Sequence, residues 1–417
     1  MEQAIFVYVD LEGISIKVGQ LWSHYRHGRE SMSFEYDRNW LTHPNRFSLD
    51  PSLKLVEGPF HASSDKPLFG ALDDSAPDRW GRLLMRRSER KNAEREKRTA
   101  RTLKEIDFLL MVDDESRQGA LRFKREEQGS FLTTYDKNHI PPLVEVGKLF
   151  VAASHVLQES DTEEELRLLL APGSSLGGAR PKASIKDKDG HLAIAKFSRK
   201  DDEIDTIAWE ALALTLANKA EIAVPEWRLE PINRQRILIS RRFDRRENIR
   251  VPFLSAMSVL AAKDNEMHSY LEIADAIRQM SGSPKIDLEA LWRRIVFNVL
   301  ISNVDDHLRN HAFLYTGQSG WRLAPAYDLN PTPTDIKPRI LSTSIDLLDP
   351  GASLDLAIDV VHYFDVVPLV AKKIVKEVGS AVASWRKEAL KLKIKKAEID
   401  RMASAFEHDD LQKSLKL

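Results

Sequence analysis

The string Asn303-Val304-Asp305-Asp306-His307-Leu308-Arg309-Asn310-His311 follows directly on the mainly apolar run Ile295 to Ile301. An apolar helix that gives way to so many polar side chains predicts a loop held against a core, with chemistry at its surface. Asp305 and Asn310 stand five residues apart, and Asp328 follows eighteen residues after Asn310 in Ala326-Tyr327-Asp328-Leu329-Asn330. Two strand-like runs, Ala312 to Tyr315 and Trp321 to Leu323, lie between them. Phosphoryl transfer needs a carboxylate to orient and deprotonate the attacking hydroxyl, and oxygen ligands for magnesium on the phosphates. An Asp, an Asn and a second Asp beyond a hairpin supply that set. Two other readings stay open on these residues. Asp305, Asp306 and Asn310 could cap a turn after a buried helix, or His307 and His311 at i, i+4 could bind a metal with Asp328, although Leu308 stands where HExxH has its Glu.

Composition removes several classes. The 417 residues contain no cysteine, which excludes disulfide scaffolds, thiolate metal sites and cysteine nucleophiles. With 62 Lys+Arg against 63 Asp+Glu, the net charge of -1 provides no general attraction for nucleic acid, so any such contact has to be local. The first residues carry Glu2 and Asp10 where a signal peptide needs basic and then apolar residues. No window approaches 18 uninterrupted apolar residues, so no membrane span is expected and the cytoplasm is the expected location.

Along the chain, Ala4 to Val9, Ile14 to Val18 and Met32 to Tyr36 predict a small antiparallel sheet. A helix is expected to open near Ser75-Ala76-Pro77-Asp78, while the mixed charges of Arg86 to Arg101 suggest a solvated helix or connector. The polar stretch Glu126 to Pro142 marks a soft boundary. Beyond it come helices near Leu143 to Ala153 and Thr162 to Leu170, then the glycine-rich Ser174-Ser175-Leu176-Gly177-Gly178. Strands at Ala183 to Lys186 and Leu192 to Phe197 and a helix over about Thr206 to Ala220 follow, with mostly helices from about Val251 onward. The glycine loop is neither GxxxxGK[ST] nor GxGxxG, which disfavours P-loop and dinucleotide folds.

Lys196 ends an apolar strand, where its ammonium could pair ATP phosphates, and Glu210 lies fourteen residues on, where it could hold that lysine. Each alone has an ordinary surface role. In sequence order, loop, lysine, glutamate, Arg241-Arg242-Phe243-Asp244-Arg245, Asp305, Asn310 and Asp328 make a complete protein-kinase set, although the HRD and DFG spellings are missing.

Together these residues resemble the HipA family, the serine/threonine kinase toxins of bacterial type II toxin-antitoxin modules. The likeness rests on Leu176-Gly177-Gly178-Ala179-Arg180-Pro181-Lys182, Arg242-Phe243-Asp244-Arg245, Asn303 to Asn310 and Ala326-Tyr327-Asp328-Leu329, and extends to Ser75 to Arg82 and Ile106 to Leu110 with Gly119-Ala120. It implies an α+β fold, with a sheet-and-helix subdomain over 1–142, a kinase N-lobe with the glycine loop over 143–250, and a helical C-lobe over 251–417. It also implies ATP and Mg2+ as cofactors. Asp305 would be the base, Asn310 and Asp328 the metal ligands and Lys196 the phosphate lysine. Ser175, Leu176, Gly177, Gly178, Glu210, Phe243 and His307 would complete the nucleotide site, with His307 shaping the loop. Ser175 corresponds to the family's autophosphorylated serine, though Ser174 beside it leaves the register open. Phosphorylation there could expel the loop and switch the enzyme off.

The implied partners are a protein substrate, with translation components among the family's targets, and a helix-turn-helix antitoxin through which DNA is met only indirectly. A non-catalytic ATP-binding co-repressor is the alternative. One departure is Arg241, which stands where the best-known members carry a glutamate, so an adenine contact would come from backbone and apolar groups. The basic stretch Lys391 to Lys396 and the acidic cluster Glu407 to Asp410 suggest a solvated helix face and a frayed end.

Overall fold

The computed structural model describes residues 3–63, 65–132, 140–173, 178, 180–232, 235–247 and 249–417. The chain forms two compact units, 1–200 with 230–254, and 201–229 with 255–417. Among the described residues no helix is long and apolar enough to cross a membrane.

The first unit opens with a five-stranded sheet in the order Phe60–His61, Arg29–Tyr36, Ile14–Arg26, Gln3–Leu11, Leu121–Lys124, with every neighbouring pair antiparallel. Period-two patterning explains it: Ile5, Val7 and Val9 all point into the core, as does Leu21, the register partner of Ile5. The second strand runs thirteen residues, well beyond the Ile14 to Val18 stretch that its apolar residues mark. Its outer part is polar and half-exposed, held by pairing to Arg29–Tyr36.

A second sheet of the same unit places Lys182–Lys186 antiparallel to Leu192–Lys196, which in turn pairs antiparallel with Gln235–Arg241. Helices Arg79–Arg95, Val146–Leu157 and Glu163–Gly173 share its core: Trp80, Leu84, Leu149, Leu166, Ile185, Ala195 and Ile239 belong to one buried cluster. Residues on both sides of position 142 therefore fill one core. Arg79–Arg95 is less solvated than its charge suggests, since Ser88, Glu89 and Ala93 are buried. Glu89 is kept ionised, below its ordinary pKa, chiefly by hydrogen bonds from Arg98.

In the second unit the helix Pro284–Leu300 is the central element. Proline in its first turn suits its start, and Leu291 to Leu300 are all buried, as expected of a helix surrounded by protein. Tyr270–Met280 and Pro368–Ala383 pack against it. Thr206–Lys219 is capped by Asp205, which accepts from the Ala208 amide at 3.0 Å, and its Trp209 packs with Trp385 and Phe406. The antiparallel hairpin Ala312–Tyr315 and Trp321–Leu323 follows the polar loop.

The carboxy-terminal segment is packed, not frayed. Ser414 is fully buried, and a Cβ on Gly379 would meet its Oγ at 2.2 Å, so only glycine permits that approach. Asp410 accepts from the Leu354 amide at 3.0 Å and pairs with Arg339 at 2.8 Å. The charge run conceals this anchoring because the partners lie more than fifty residues away.

Candidate active site

The loop that carries the polar string leaves helix Pro284–Leu300 through Ser302, a non-glycine residue at φ +51°. Side-chain bonds hold this left-handed turn: Ser302 Oγ donates to the Ala405 carbonyl at 2.9 Å and accepts from Arg339 Nε at 3.1 Å. Asn303, fully buried, donates from Nδ2 to Asn298 Oδ1 at 3.1 Å, and its Oδ1 accepts the Asn330 amide at 3.1 Å. That second bond ties the loop to the segment of Asp328. Asp328 itself adopts φ +58°, and Asn330 Nδ2 donates to its carbonyl at 3.1 Å.

The adjacent carboxylates differ completely. Asp305 has 60% of its side chain exposed and pairs with Lys337 at 3.3 Å. Asp306 is 2% exposed and lies in a buried hydrogen-bond cluster. Asn310 donates from Nδ2 to the Asp305 carbonyl at 3.2 Å, which leaves its Oδ1 as the side-chain atom that could accept a ligand. His307 bridges the two through its backbone: its amide donates to the Asp305 carbonyl at 2.9 Å and its carbonyl accepts from the Asn310 amide at 2.8 Å. His307 is thus a shaping residue of the loop. His311 is directed to Asp306 at 2.7 Å, and the described residues contain no group of three His, Asp or Glu side chains able to hold a metal. The His307, His311 and Asp328 metal site therefore has no geometric support here. An Asn oxygen with one carboxylate suits Mg2+, which commonly takes one or two protein ligands and completes its shell with phosphates and water.

The remaining candidates sit as follows. Glu210 is buried in helix Thr206–Lys219 of the second unit. Lys196 ends the strand Leu192–Lys196 of the first unit, opposite Lys182 and Leu238 in register. Ser174, Ser175, Leu176 and Gly177 lie outside the described residues. Gly178 has φ +90°, and a Cβ there would come within 2.7 Å of Lys182 Nζ, so the position demands glycine. Its amide donates to the Asp78 carboxylate and its carbonyl accepts the Trp80 amide at 3.2 Å. Asp78 and Trp80 of the Ser75 to Arg82 motif thus hold Gly178 through two hydrogen bonds.

Arg242, Asp244 and Arg245 have a structural role that their place in a kinase set does not convey. Arg242 chelates Asp244 through Nε and Nη2 at 2.8 and 2.6 Å, and Asp244 accepts the Gly119 amide at 2.8 Å. Arg245 donates to the Arg117 carbonyl at 2.6 Å. Burial opposes the charge of Asp244, but the two guanidiniums hold its pKa well below the carboxylate range. Burial draws Arg245 down to about 9 despite that partner. Between these arginines Phe243 is half-buried and stacks on Phe253, with ring centroids 6.4 Å apart.

Sequence reasoning overlooked Asn298, Tyr270 and Lys337; it weighed Asp306 only as a turn cap and His311 only as a metal ligand, and gave Asn303 no role of its own. Asp306 and His311 at i, i+5 were visible as a spacing, but nothing local marks Tyr270 or Lys337.

Residues 174–403 match the HipA-like C-terminal domain and residues 9–106 the HipA N-terminal domain. A protein of Sinorhizobium fredii (strain NBRC 101917 / NGR234) named "Putative kinase Y4mE" is 26% identical over 356 residues, 78% of this chain and 77% of its own length. A Haemophilus influenzae (strain ATCC 51907 / DSM 11121 / KW20 / Rd) protein named "Putative kinase" is 41% identical over 66 residues, 16% of this chain and 19% of its own. The HipA chain of a Shewanella oneidensis MR-1 structure, described as a toxin-antitoxin system of HipA, HipB and operator DNA, superposes with a TM-score of 0.65. That likeness covers 100% of this chain and 96% of the other at 13% identity, which establishes a common α+β fold. With both domain matches together spanning most of its length, this chain belongs to the HipA family.

Proposed function

We propose that this protein is a cytoplasmic, ATP- and Mg2+-dependent serine/threonine protein kinase, the toxin of a toxin-antitoxin pair, capable of autophosphorylation at Ser175 or its neighbour Ser174. The observation that carries this reading is the pairing of an exposed Asp305 with Asn310 on one clamped loop, itself bonded through Asn303 to the Asp328 segment. Bound Mg2+-ATP supplies the phosphoryl group and the metal that neutralises its developing charge. Asp305 would orient the acceptor hydroxyl and take its proton as the oxygen forms a bond to the γ-phosphorus and the bond to the β-phosphate oxygen breaks, releasing ADP. Asn310 Oδ1 and Asp328 would hold the metal, and Lys196 would neutralise charge on the phosphates. Gly178 would let backbone approach them, and Phe243 would offer an apolar contact for the base. A helix-turn-helix antitoxin is the proposed partner, supported by the HipB and operator DNA that accompany the Shewanella HipA; DNA would be met through that partner. The substrate belongs to proteins, with translation components as the first class to try.

The test is transfer of labelled γ-phosphoryl from ATP to protein, with and without Mg2+, in wild type and Asp328→Asn. Mg2+-dependent phosphoserine or phosphothreonine in wild type, lost in the variant, is expected. ATP binding without transfer in either would favour the non-catalytic co-repressor instead.

A further inference from the structure

Asp306 has no part in the phosphoryl-transfer scheme, yet it is buried and held by three side-chain donors. Its Oδ2 accepts from the Tyr270 hydroxyl at 2.5 Å, from Asn298 Nδ2 at 2.8 Å and from His311 Nε2 at 2.7 Å. The donors come from three places: the first residue of helix Tyr270–Met280, the last turns of helix Pro284–Leu300, and the residue before the strand Ala312–Tyr315. Burial opposes ionisation of Asp306, but His311 and the Tyr270 hydroxyl outweigh it and hold its pKa below the ordinary value. An ionised carboxylate only accepts, so His311 must carry its hydrogen on Nε2; its buried Nδ1 has no hydrogen-bond partner.

We propose that the Asp306–His311 pair is a positioning clasp for phosphoryl transfer, closing the loop at both ends so that Asp305 and Asn310 keep a fixed relation. This rests on the kinase reading above. Asp306 follows Asp305 directly and His311 follows Asn310 directly, so the clasp fixes the neighbours of both functional residues. Four residues separate Asp306 from His311, the last three of them forming the 3-10 turn Leu308–Asn310. Across that turn the side-chain link between the functional pair is one bond of 3.2 Å, from Asn310 Nδ2 to the Asp305 carbonyl, too little by itself to fix a mostly polar loop. A buried carboxylate is costly unless fully paired, and an apolar side chain would fill the space without needing three donors. The His311 carbonyl also accepts the Ala256 amide at 2.8 Å, which anchors the far end of the clasp to its surroundings. Neither clasp residue meets substrate; both act through their neighbours.

The experiment measures kcat, KM for ATP and the Mg2+ half-saturation of the full chain for wild type, Tyr270→Phe, His311→Gln and His311→Leu, beside their melting temperatures. Loosening the loop by about 1 Å is expected to lower kcat of His311→Leu by roughly 100-fold and to raise the Mg2+ requirement, with KM for ATP within about three-fold. His311→Gln, which keeps an N–H donor, should recover about ten-fold of that loss, and Tyr270→Phe, which removes one hydroxyl, should fall by about three- to ten-fold. Should His311→Leu fail to fold, Tyr270→Phe and His311→Gln decide. Folded variants with wild-type kcat and Mg2+ requirement, or equal losses in Gln and Leu that track melting temperature alone, would overturn the clasp. A wild type that transfers nothing refutes the kinase reading itself, and the clasp with it.

Discussion

At the scale of single residues, burial gives Asp305 and Asp306 their different roles. Both are acids in one string, and from the string either could be a base or a cap. Tyr270, 36 residues upstream, Asn298 and His311 draw Asp306 inward, and their convergence is a tertiary fact invisible to local spacing. Asp305, Asn310 and Asp328 could be singled out as candidates in the sequence because the proposed phosphoryl-transfer chemistry constrains residue type and order. Asp305→Asn should leave unfolding free energy within about 0.5 kcal/mol of wild type in urea melts, as is usual for an exposed site, while transfer falls by at least about 100-fold. Lys337→Ala removes an ion pair whose partners are 55% and 60% exposed, so its effect on stability is expected to be about 0–1 kcal/mol. A larger loss measured in the same melts would mean that the pair does more than meet solvent.

At the scale of elements, apolar periodicity made most of the frame readable. The hairpin Ala312–Tyr315 and Trp321–Leu323 and the strand Leu192–Lys196 stand where alternation places them. Charged segments were harder to place: Arg79–Arg95 is anchored by buried Glu89, which pairs with Arg98 just beyond the helix, and the carboxy-terminal helices by Asp410, whose partner Arg339 lies far upstream. The turn at Ser302 is another element that patterning misses, since a left-handed serine has no sequence signature. Ser302→Ala removes a buried donor to Ala405 and an acceptor for Arg339. It should lower unfolding free energy by about 1–3 kcal/mol, read from denaturant melts. A change below about 0.5 kcal/mol would mean that the backbone alone holds the turn.

At the scale of the whole molecule, the fold belongs to the HipA family, and its stability carries a distinct acid signature. Burial, and then the Arg339 guanidinium, lower His408 to about 4. The folded state therefore binds this proton less readily than the unfolded chain, whose histidine titrates near about 6.5. The contribution is complete above about pH 6.5 and is lost as pH falls toward about 4. One such group gives a slope of at most about 1.4 kcal/mol per pH unit. Urea midpoints followed across that window should fall in wild type and fall less in His408→Gln; parallel curves would remove His408 from the account.

The most direct measurement is intact-mass and peptide mass spectrometry of purified protein after incubation with Mg2+ and ATP, beside Asp305→Asn. A gain of one phosphoryl group at Ser175 or Ser174 in wild type alone is the expected result. Equal phosphorylation of the Asp305→Asn variant would contradict the assignment of the base, and no gain in wild type despite detectable ATP binding would contradict self-phosphorylating kinase activity.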